Sequence, residues 1–523
     1  MPQLSEDTKN LIKRYSKPSK EKEEPTVEVD EIAVRVASFY EKIRGVIDWK
    51  GEQFLKRGAI GRALKRKIFS QINISDGKFS KDHISAEKLI IELIRSGHFK
   101  NGTIGESKID EVQKAIDKYI YIIKNYPSGN GSRLNFYKWL SSIAVCEIEE
   151  ILSPAQKNRA LIFYMYKHMK EMIEIEEEVK EKDKLIYIAV QQALFDLDEQ
   201  IITYHLLKHE YNNWRKLKGE ELKKVAQEIP KTKERIDGYF NHPFLKKIYQ
   251  ICKVYNTPFL VLGDMLEESA SKKLLESPEK VETRIKKHYQ IRVKEMKGKL
   301  SRIAAYTTIS IFLTNVFALL ALEIPFAKYV MGNFSYLAIA IDVLVPTFLM
   351  ALLVVTIKPP PKRNEKKVVL ETMKVLYEGK KESIKIKKAK QRKFNFIISI
   401  IYSLFFILSV GGIVWLLQKI DFPPLSYFIF IIFLSLIAFA GVKIRERAKE
   451  LHMIETKEGF VSFFIDLFAI PVIQLGRWLA LRWERYNVVS IFFNAFVDMP
   501  FMLFVEFLDQ WRSFLKEKKE EMY

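Results

Sequence analysis

Four uninterrupted apolar runs lie within residues 301–443 of the 523-residue chain. They extend, to within a few residues, over 303–323, 335–357, 394–417 and 425–442. Each is close to the roughly 20 residues that a helix needs to cross the hydrocarbon of a bilayer. Four such runs exceed what the core of a soluble domain requires. The pattern predicts an all-α, polytopic membrane protein with four transmembrane helices.

Basic residues gather on one side of these runs. The formal net charge is +21, and residues 358–393 alone carry 14 Lys or Arg against 4 acidic residues. Residues 284–302 carry eight more, whereas the short connections at 325–334 and 418–424 have one Lys each. Because basic loops stay on the cytoplasmic side, both termini are predicted to be cytoplasmic. The N-terminus lacks the apolar core of a signal peptide, and a multi-pass protein of the plasma membrane is the simplest assignment.

The basic cytosolic loop at 358–393 is typical of a segment that faces anionic lipid, where each basic residue contributes about 1 kcal/mol of attraction. Within it, "EKKVVLETMKVLYEG" predicts a short amphipathic helix along the inner surface. No nucleic acid is expected as a partner, because no binding motif accompanies the charge. The predicted lipid contacts are Lys358, Lys362, Arg363, Lys387, Lys388, Lys390, Arg392 and Lys393.

The N-terminal part has a different composition. Residues 1–28 are polar and rich in Lys and Glu, and they are predicted to form a disordered tail. From there to residue 300, apolar residues recur every three or four positions, which predicts a helical cytosolic domain over 29–300. Cys146 and Cys252 lack the spacing of a metal or redox motif, so we expect two reduced thiols.

His205 and His209 lie four residues apart in "EQIITYHLLKHEYNNW" and so share one helical face. Two imidazoles so placed bind a divalent metal only with a third ligand, and the sequence shows none. An ordinary helical face is the favoured interpretation, with no metal and no cofactor. The phosphate-loop, dinucleotide, zinc-protease and serine-hydrolase motifs are also absent from the chain, which predicts a non-enzymatic protein.

Residues 444–523 mix long apolar stretches with charge. They predict amphipathic helices in the inner membrane interface or beneath the spans, broken at Pro471 and Pro500. The alternative is a fifth and a sixth span within 460–508, which would place several charges in or near lipid against the loop bias. The predicted interface anchors are Arg477, Trp478, Arg482, Trp483, Arg485 and Trp511.

Asp342 is the only acid near the middle of an apolar run. Counting residues from the predicted outer side places Asn315 near the same depth, and the two side chains are expected to meet. Burial disfavours the charged form of a carboxyl group, so Asp342 is expected to be protonated in a closed bundle. The full predicted polar layer consists of Asp342, Asn315, Thr314, Pro346, whose ring frees a helical carbonyl, and two glycines at which helices approach, Gly411 and Gly412.

Two functions fit these features. A membrane-associated scaffold would use the spans as an anchor and its cytosolic domain to bind a protein partner. The alternative is a channel or an ion- or proton-coupled transporter that uses Asp342 in a polar layer between helices. The first is favoured, because a proton or ion pathway needs a second titratable group and the sequence does not show one. A homo-oligomer is compatible with either function.

Overall fold

The computed structural model is almost entirely helical. It describes residues 4–16, 24–29, 52–69, 84–126, 133–176, 179–211, 213–269, 277–326, 329, 336–355, 360–377, 383–387, 395–420, 422, 424–454, 460–486 and 511. The chain divides into two compact units. The helical unit comprises Asn10–Cys252, Ser383–Ile386 and Asn494–Tyr523. The apolar unit comprises Met1–Lys9, Lys253–Glu382 and Lys387–Phe493.

The first part of the chain forms helices joined by short connections. In chain order these elements are α1 (Glu6–Ser16), α2 (Glu52–Phe69), α3 (Ala86–Arg95), α4 (Ser107–Lys124), α5 (Arg133–Leu152), α6 (Gln156–Met172), the strand β1 (Ile173–Ile175), α7 (Lys182–Phe195), α8 (Glu199–Glu210) and α9 (Gly219–Phe240). A 3₁₀ turn at Trp214–Lys216 precedes α9.

The second part contains the longest helices. They are α10 (Leu245–Glu268), α11 (Pro278–Ala318), α12 (Tyr336–Val355), α13 (Lys362–Tyr377), the strand β2 (Ile384–Ile386), α14 (Asn395–Gln418), α15 (Pro424–Ala448) and α16 (Phe460–Tyr486). A π-helical turn at Leu319–Glu323 and a short α-turn at Ile324–Phe326 continue α11 without a break.

Amphipathic helices build the core of the helical unit. The side chain of Ser85 caps α3 by accepting a hydrogen bond from the Lys88 amide, and Leu89 and Leu93 on the inner face are buried. α5 packs against α2 and α4, and α9 against α4. The strand β2 pairs in parallel with β1, with Ile173 opposite Ile384. This short strand lies in the predicted basic loop, where the sequence pattern shows no strand.

A fully paired ionic cluster lies in that core. The Lys118 ammonium donates to both carboxylate oxygens of Glu147 at 2.7 and 2.8 Å and to the backbone carbonyl of Trp214 at 2.9 Å. The Tyr119 hydroxyl and the Trp214 indole N–H donate to the same carboxylate. Burial lowers the pKa of Lys118, while Glu147 opposes that shift. Because the buried charges are paired and hydrogen-bonded, the cluster is a stable part of the core.

The N-terminal tail differs from the prediction, since Glu6–Ser16 forms α1. Leu11 and Tyr15, four residues apart, are buried, and this apolar stripe gives the helix a surface to pack. Thr8 is fully buried and its hydroxyl donates to the carbonyl oxygen of Leu376 at 3.3 Å. A segment that is polar on average is therefore ordered by its few apolar residues.

Three helices are long and apolar enough to cross a membrane. They are Pro278–Phe326, Ser399–Gln418 and Ser426–Ala448, as judged over the described residues. The second predicted span coincides with α12, a helix of 20 residues in which Ala340–Leu353 is a shorter apolar stretch. α12 packs against both α11 and α15.

A buried amide ties the basic ends of these helices together. Asn364 in α13 donates to the Tyr289 hydroxyl at 2.8 Å and to the Leu451 carbonyl at 2.7 Å. Its side-chain oxygen accepts from the amides of Met453 and Ile454. All four hydrogen-bonding positions of the side chain are therefore used. The predicted amphipathic helix forms as α13.

The C-terminal segment differs from the prediction at Pro471, because α16 runs through this residue without a break. The hydroxyl of Ser409 donates to the Phe468 carbonyl at 2.9 Å, in the turn where the proline removes a helical hydrogen bond. The Phe405 and Phe468 rings meet edge to face at 5.3 Å. α16 thus packs against α14 and α15. Pro500 lies outside the described residues.

Gly476 allows α16 to pack closely against α15, because it has no side chain. A methyl group built on it would overlap the carbonyl group of Ser435 in α15 and lie 3.1 Å from the Cβ of Phe439. Among the described residues, no atom of another helix lies within 4 Å of the corresponding position on Gly412. α15 and α16 therefore approach each other closely at Gly476.

We expect Gly476→Ala to lower the apparent melting temperature of the full-length protein, because α16 must move away from α15. Gly412→Ala is the matched control and should leave it unchanged or raise it, since alanine favours a helix over glycine. Thermal unfolding in detergent measures both. Equal effects of the two substitutions on the melting temperature would contradict a close contact between α15 and α16 at Gly476.

Candidate functional site

Asp342 lies in α12 and is only 1% exposed. Asp342, Pro346 and Met350 are buried at intervals of four residues, so they form one stripe of the helix. Neither carboxyl oxygen accepts a hydrogen bond from a described donor. The acid predicted to lie within an apolar run is therefore enclosed by protein.

The group that faces it is a second carboxyl group. The side chain of Glu323 is 6% exposed, and it interacts directly with the carboxyl group of Asp342. Glu323 Oε2 accepts a hydrogen bond of 3.0 Å from the hydroxyl of Ser426 in α15, while Oε1 has no described partner. Two carboxylates cannot hydrogen-bond to each other unless one carries a proton. The pair therefore requires a proton or another cation.

A π-helical turn places Glu323 there. In the turn Leu319–Glu323, the amide of Ile324 bonds to the Leu319 carbonyl, five residues back. Pro325 follows and has no N–H, so a carbonyl one turn earlier loses its helical donor. Single π turns are rare and often mark functional sites. The sequence prediction treated Glu323 as the end of the first span and assigned it no role. The motif "LEIP", an acid before a proline at the end of an apolar run, was the available signal.

Asn315 completes a buried stripe on the same helix. Asn315, Leu319 and Glu323 are all buried at intervals of four residues. Asn315 is 0% exposed, and neither its amide nitrogen nor its oxygen has a described partner. The predicted hydrogen bond to Asp342 is not formed among the described residues, because the Asp342 carboxyl lies against Glu323. The amide of Asn315 lies about two turns from Glu323 along the helix, or about 12 Å.

Unpaired buried polar atoms concentrate at these residues. In the described part of the chain, nine buried side-chain nitrogen or oxygen atoms have no hydrogen-bond partner. Five of the nine belong to Asn315, Glu323 and Asp342. Because nearly all buried polar groups in proteins are hydrogen-bonded, such a concentration indicates a place for an ion or water.

Two apolar clusters border the polar groups. Met350, Ile437 and Ile444 form one, with Ile311 packed against it, toward the basic ends of the helices. Leu417, Phe422 and Phe430 form the other, with Ile341 and Val345 of α12 packed against it. Along α11 and α12, the first cluster therefore lies between the polar groups and the basic ends of these helices.

The other predicted members of the polar layer lie elsewhere. Thr314 is exposed, and its hydroxyl donates to the Ser310 carbonyl of its own helix. Gly411 and Gly412 are exposed, and among the described residues no atom of another helix lies within 4 Å of a methyl group built on either glycine. Pro346 is buried one turn after Asp342.

The predicted lipid contacts and anchors are partly described. Lys362, Arg363 and Lys387 are exposed. Trp478 is also exposed, with the Arg482 guanidinium 5.6 Å from its ring centroid. Arg477 and Trp511 are exposed as well. The residues Lys358, Lys388, Lys390, Arg392 and Lys393, and the side chains of Trp483 and Arg485, lie outside the described part.

A cavity of about 70 Å³ in the described part of the helical unit is lined by charged groups. Arg57 bonds there to Glu149 and Asp198, both at 2.6 Å. Glu150 pairs with Lys208 and Arg215 at 3.0 and 3.1 Å. The carboxylates of this cavity thus already have cations, in contrast to Glu323 and Asp342.

His205 and His209 have different surroundings. His205 lines this cavity, and its Nδ1 lies 2.5 Å from Gln191 Oε1. Burial lowers the pKa of His205 to about 3, and Lys208, Arg159 and Arg57 act in the same direction. His209 is exposed. In the described residues, no third His, Cys, Asp or Glu forms a metal-binding group with them.

The chain matches no protein-family model, and no curated protein or solved structure is significantly similar to it. The function must therefore be inferred from the geometry of the site. The buried polar groups at Glu323, Asp342 and Asn315 are its most specific feature.

The position of His205 predicts a loss of stability in acid. The unfolded chain binds a proton on this ring below about pH 6.5, whereas the folded chain stays neutral until about pH 3, so stability falls as the pH drops between these values. We expect His205→Gln to reduce the loss of unfolding free energy between pH 7.5 and 5.5 by about 1 kcal/mol. Measuring the free energy of unfolding of the wild type and the variant at both pH values tests this prediction.

The exposed His209 supplies the matched control, and His209→Gln should retain the wild-type pH dependence. An unchanged dependence in His205→Gln would show that the buried imidazole does not contribute.

Proposed function

We propose that this is an integral membrane protein that binds a proton or a cation at Glu323 and Asp342 and moves it across the membrane. It would belong to the channel or transporter class. The observation that carries the proposal is the second buried carboxyl group, which the sequence prediction lacked. One acid is compatible with a hydrogen bond that holds helices together, but two acids in contact need a positive charge between them.

An anchor would gain nothing from this pair. Burying a carboxyl group in an apolar environment costs free energy, and a second one adds repulsion. Apolar side chains at both positions would hold the helices at lower cost. Intramembrane acids are therefore typical of ion and proton pathways. The scaffold function favoured from sequence has no comparable support at this site.

The helix backbone around the pair supports the same conclusion. Transporters commonly bind ions where a helix is interrupted, because the freed carbonyl oxygens become ligands. Here a π turn and Pro325 alter the helical hydrogen bonding next to Glu323 without ending the helix, and Pro346 follows Asp342 by one turn. Both carboxyl groups therefore have carbonyl oxygens nearby that lack a helical donor.

The apolar cluster of Met350, Ile437 and Ile444 supports a site open from one side at a time. Along α11, α12 and α15 it lies between the carboxyl pair and the basic ends of the helices. An ion that reaches the pair from the α11–α12 connection meets this cluster next. Passage to the other side would require the helices to separate there.

The proposed topology has four spans, of which α12 is the second. Its 20 residues extend over about 30 Å, which matches the hydrocarbon thickness. The basic loop charges favour cytoplasmic termini and contact with anionic lipid at Lys362 and Arg363. The plasma membrane remains the simplest assignment. In this arrangement the carboxyl pair belongs to the outer half of the bundle.

Transport by reconstituted protein tests the proposal. Full-length protein in liposomes is supplied with a gradient of protons, Na⁺, K⁺, Mg²⁺, Ca²⁺ or Mn²⁺, and flux is followed by fluorescent indicators. We expect at least one of these ions to move, and Asp342→Asn or Glu323→Gln to lower its rate at least about tenfold, as expected for loss of an ion-binding group.

Ser435→Ala is the matched control. Ser435 is a fully buried polar residue of α15 whose hydroxyl bonds within its own helix to Ile431. This variant should transport at the wild-type rate. No flux of any of the six ions, or equal flux in the wild type and the carboxyl variants, would contradict the proposal.

A further inference from the structure

The cavity at Arg57 in the helical unit has a surplus of positive charge. Among the described residues, five cations and three carboxylates line it or pair with the charged groups that line it: Lys56, Arg57, Arg159, Lys208 and Arg215, against Glu149, Glu150 and Asp198. We infer that this cavity binds inorganic phosphate. The inference is separate from ion movement at Glu323 and Asp342 and does not depend on it.

The size and the charge of the cavity fit phosphate. A cavity needs roughly 10–15 Å³ to hold one water molecule, so a volume of about 70 Å³ has room for a group of several heavy atoms. A phosphate group near neutral pH has a charge of roughly −1.5 to −2, which the surplus of two positive charges offsets. A neutral or cationic ligand would leave that surplus in place.

The carboxylates of the cavity all have cations, and at Glu150 there are more cations than one carboxylate offsets. Arg159, Lys208 and Arg215 all bond to this residue. Burial lowers the pKa of Lys208 to about 8, and Arg159 and Arg215 act in the same direction because like charges repel. A bound anion would relieve this repulsion.

Hydrogen-bond donors without a described partner lie on the wall of the cavity. The Arg159 guanidinium has five N–H groups, of which one bonds to Glu150 and the others have no partner among the described residues. The side chain of Asn158 also lines the cavity and has no described partner. Both residues belong to the first turn of α6, where Ala155 provides no side-chain cap and no acid is present. The uncapped start of this 17-residue helix attracts an anion as well.

His205 supplies a hydrogen-bond acceptor, which distinguishes phosphate from sulfate. The amide nitrogen of Gln191 donates to the Tyr187 carbonyl at 3.2 Å, so the amide oxygen of Gln191 accepts from Nδ1 of His205. Burial lowers the pKa of His205 to about 3, so the ring is neutral near pH 7 and its Nε2 is an acceptor. Inorganic phosphate keeps a proton near neutral pH and can donate it in a hydrogen bond, whereas sulfate has none.

Calorimetric titration tests the inference. Full-length protein in detergent is titrated with sodium phosphate or sodium sulfate at pH 7.5, in a buffer free of both anions. We expect phosphate to bind at one saturable site per chain. Sulfate should bind at least about tenfold more weakly, because it leaves the acceptor of His205 without a donor. Sulfate binding as tight as phosphate binding would overturn the assignment.

The variant Asn158→Asp separates binding from folding. The new carboxylate lies in the first turn of α6, where it stabilises the helix, but it repels a bound anion. We expect the melting temperature to stay the same or rise, while phosphate binds at least about tenfold more weakly.

The variant Arg159→Gln should weaken phosphate binding to a similar extent, because it removes charge-assisted hydrogen bonds. Two other cations still pair with Glu150 in this variant, so we expect it to fold. Arg235→Gln is the matched control and should bind phosphate like the wild type. Arg235 is exposed, pairs with Glu210 and does not line the cavity.

The absence of saturable phosphate binding in the wild type, or wild-type affinity in Asn158→Asp, would overturn the inference. Neither result affects the proposed function, because ion flux in the carboxyl variants tests that function separately.

Discussion

The contact between the carboxyl groups of Glu323 and Asp342 is the interaction on which the functional account depends. Both side chains lie within helices that are otherwise apolar, and Ser426 provides the one described hydrogen bond to either. Like charges in such a place repel strongly, and each charge also loses its hydration. The helices can remain packed around them only when a proton or a metal ion offsets the charge. The contact is therefore both a cost to stability and the basis of the proposed binding site.

The helical unit shows how the same chain treats buried charge that has a structural role. Lys118 and Glu147 are fully buried, yet every donor and acceptor around them is used. The cavity at Arg57 follows the same rule, because its acids already have cations. Compared with these clusters, the donor-free oxygens of Asp342 stand out. In the described part of the chain, the carboxyl oxygens that are buried without a hydrogen-bond partner all belong to Asp342 and Glu323.

Hydropathy was sufficient to predict the apolar helices and to single out Asp342 as an acid within one of them. It was not sufficient to find Glu323, because a π turn determines which face this residue occupies and no residue pattern fixes that turn. Gly411 and Gly412 illustrate the same limit, since counting residues gives depth along a helix but not the side on which a neighbour packs. Pro471 was expected to break a helix, but the packing of α16 on α15 outweighs the lost hydrogen bond. The prediction of a disordered tail rested on average composition, which does not show that a few apolar residues are spaced to form the helix α1.

A double-mutant cycle tests the central claim that the two carboxyl groups act on each other. Apparent melting temperatures of full-length protein are measured in the presence of a chelator for the wild type, Glu323→Gln, Asp342→Asn and the double variant. If the groups repel, each single substitution raises the melting temperature, and the double variant gains little more than either alone. Strictly additive changes, or no change in either single variant, would contradict the claim, since residues that do not interact give additive effects.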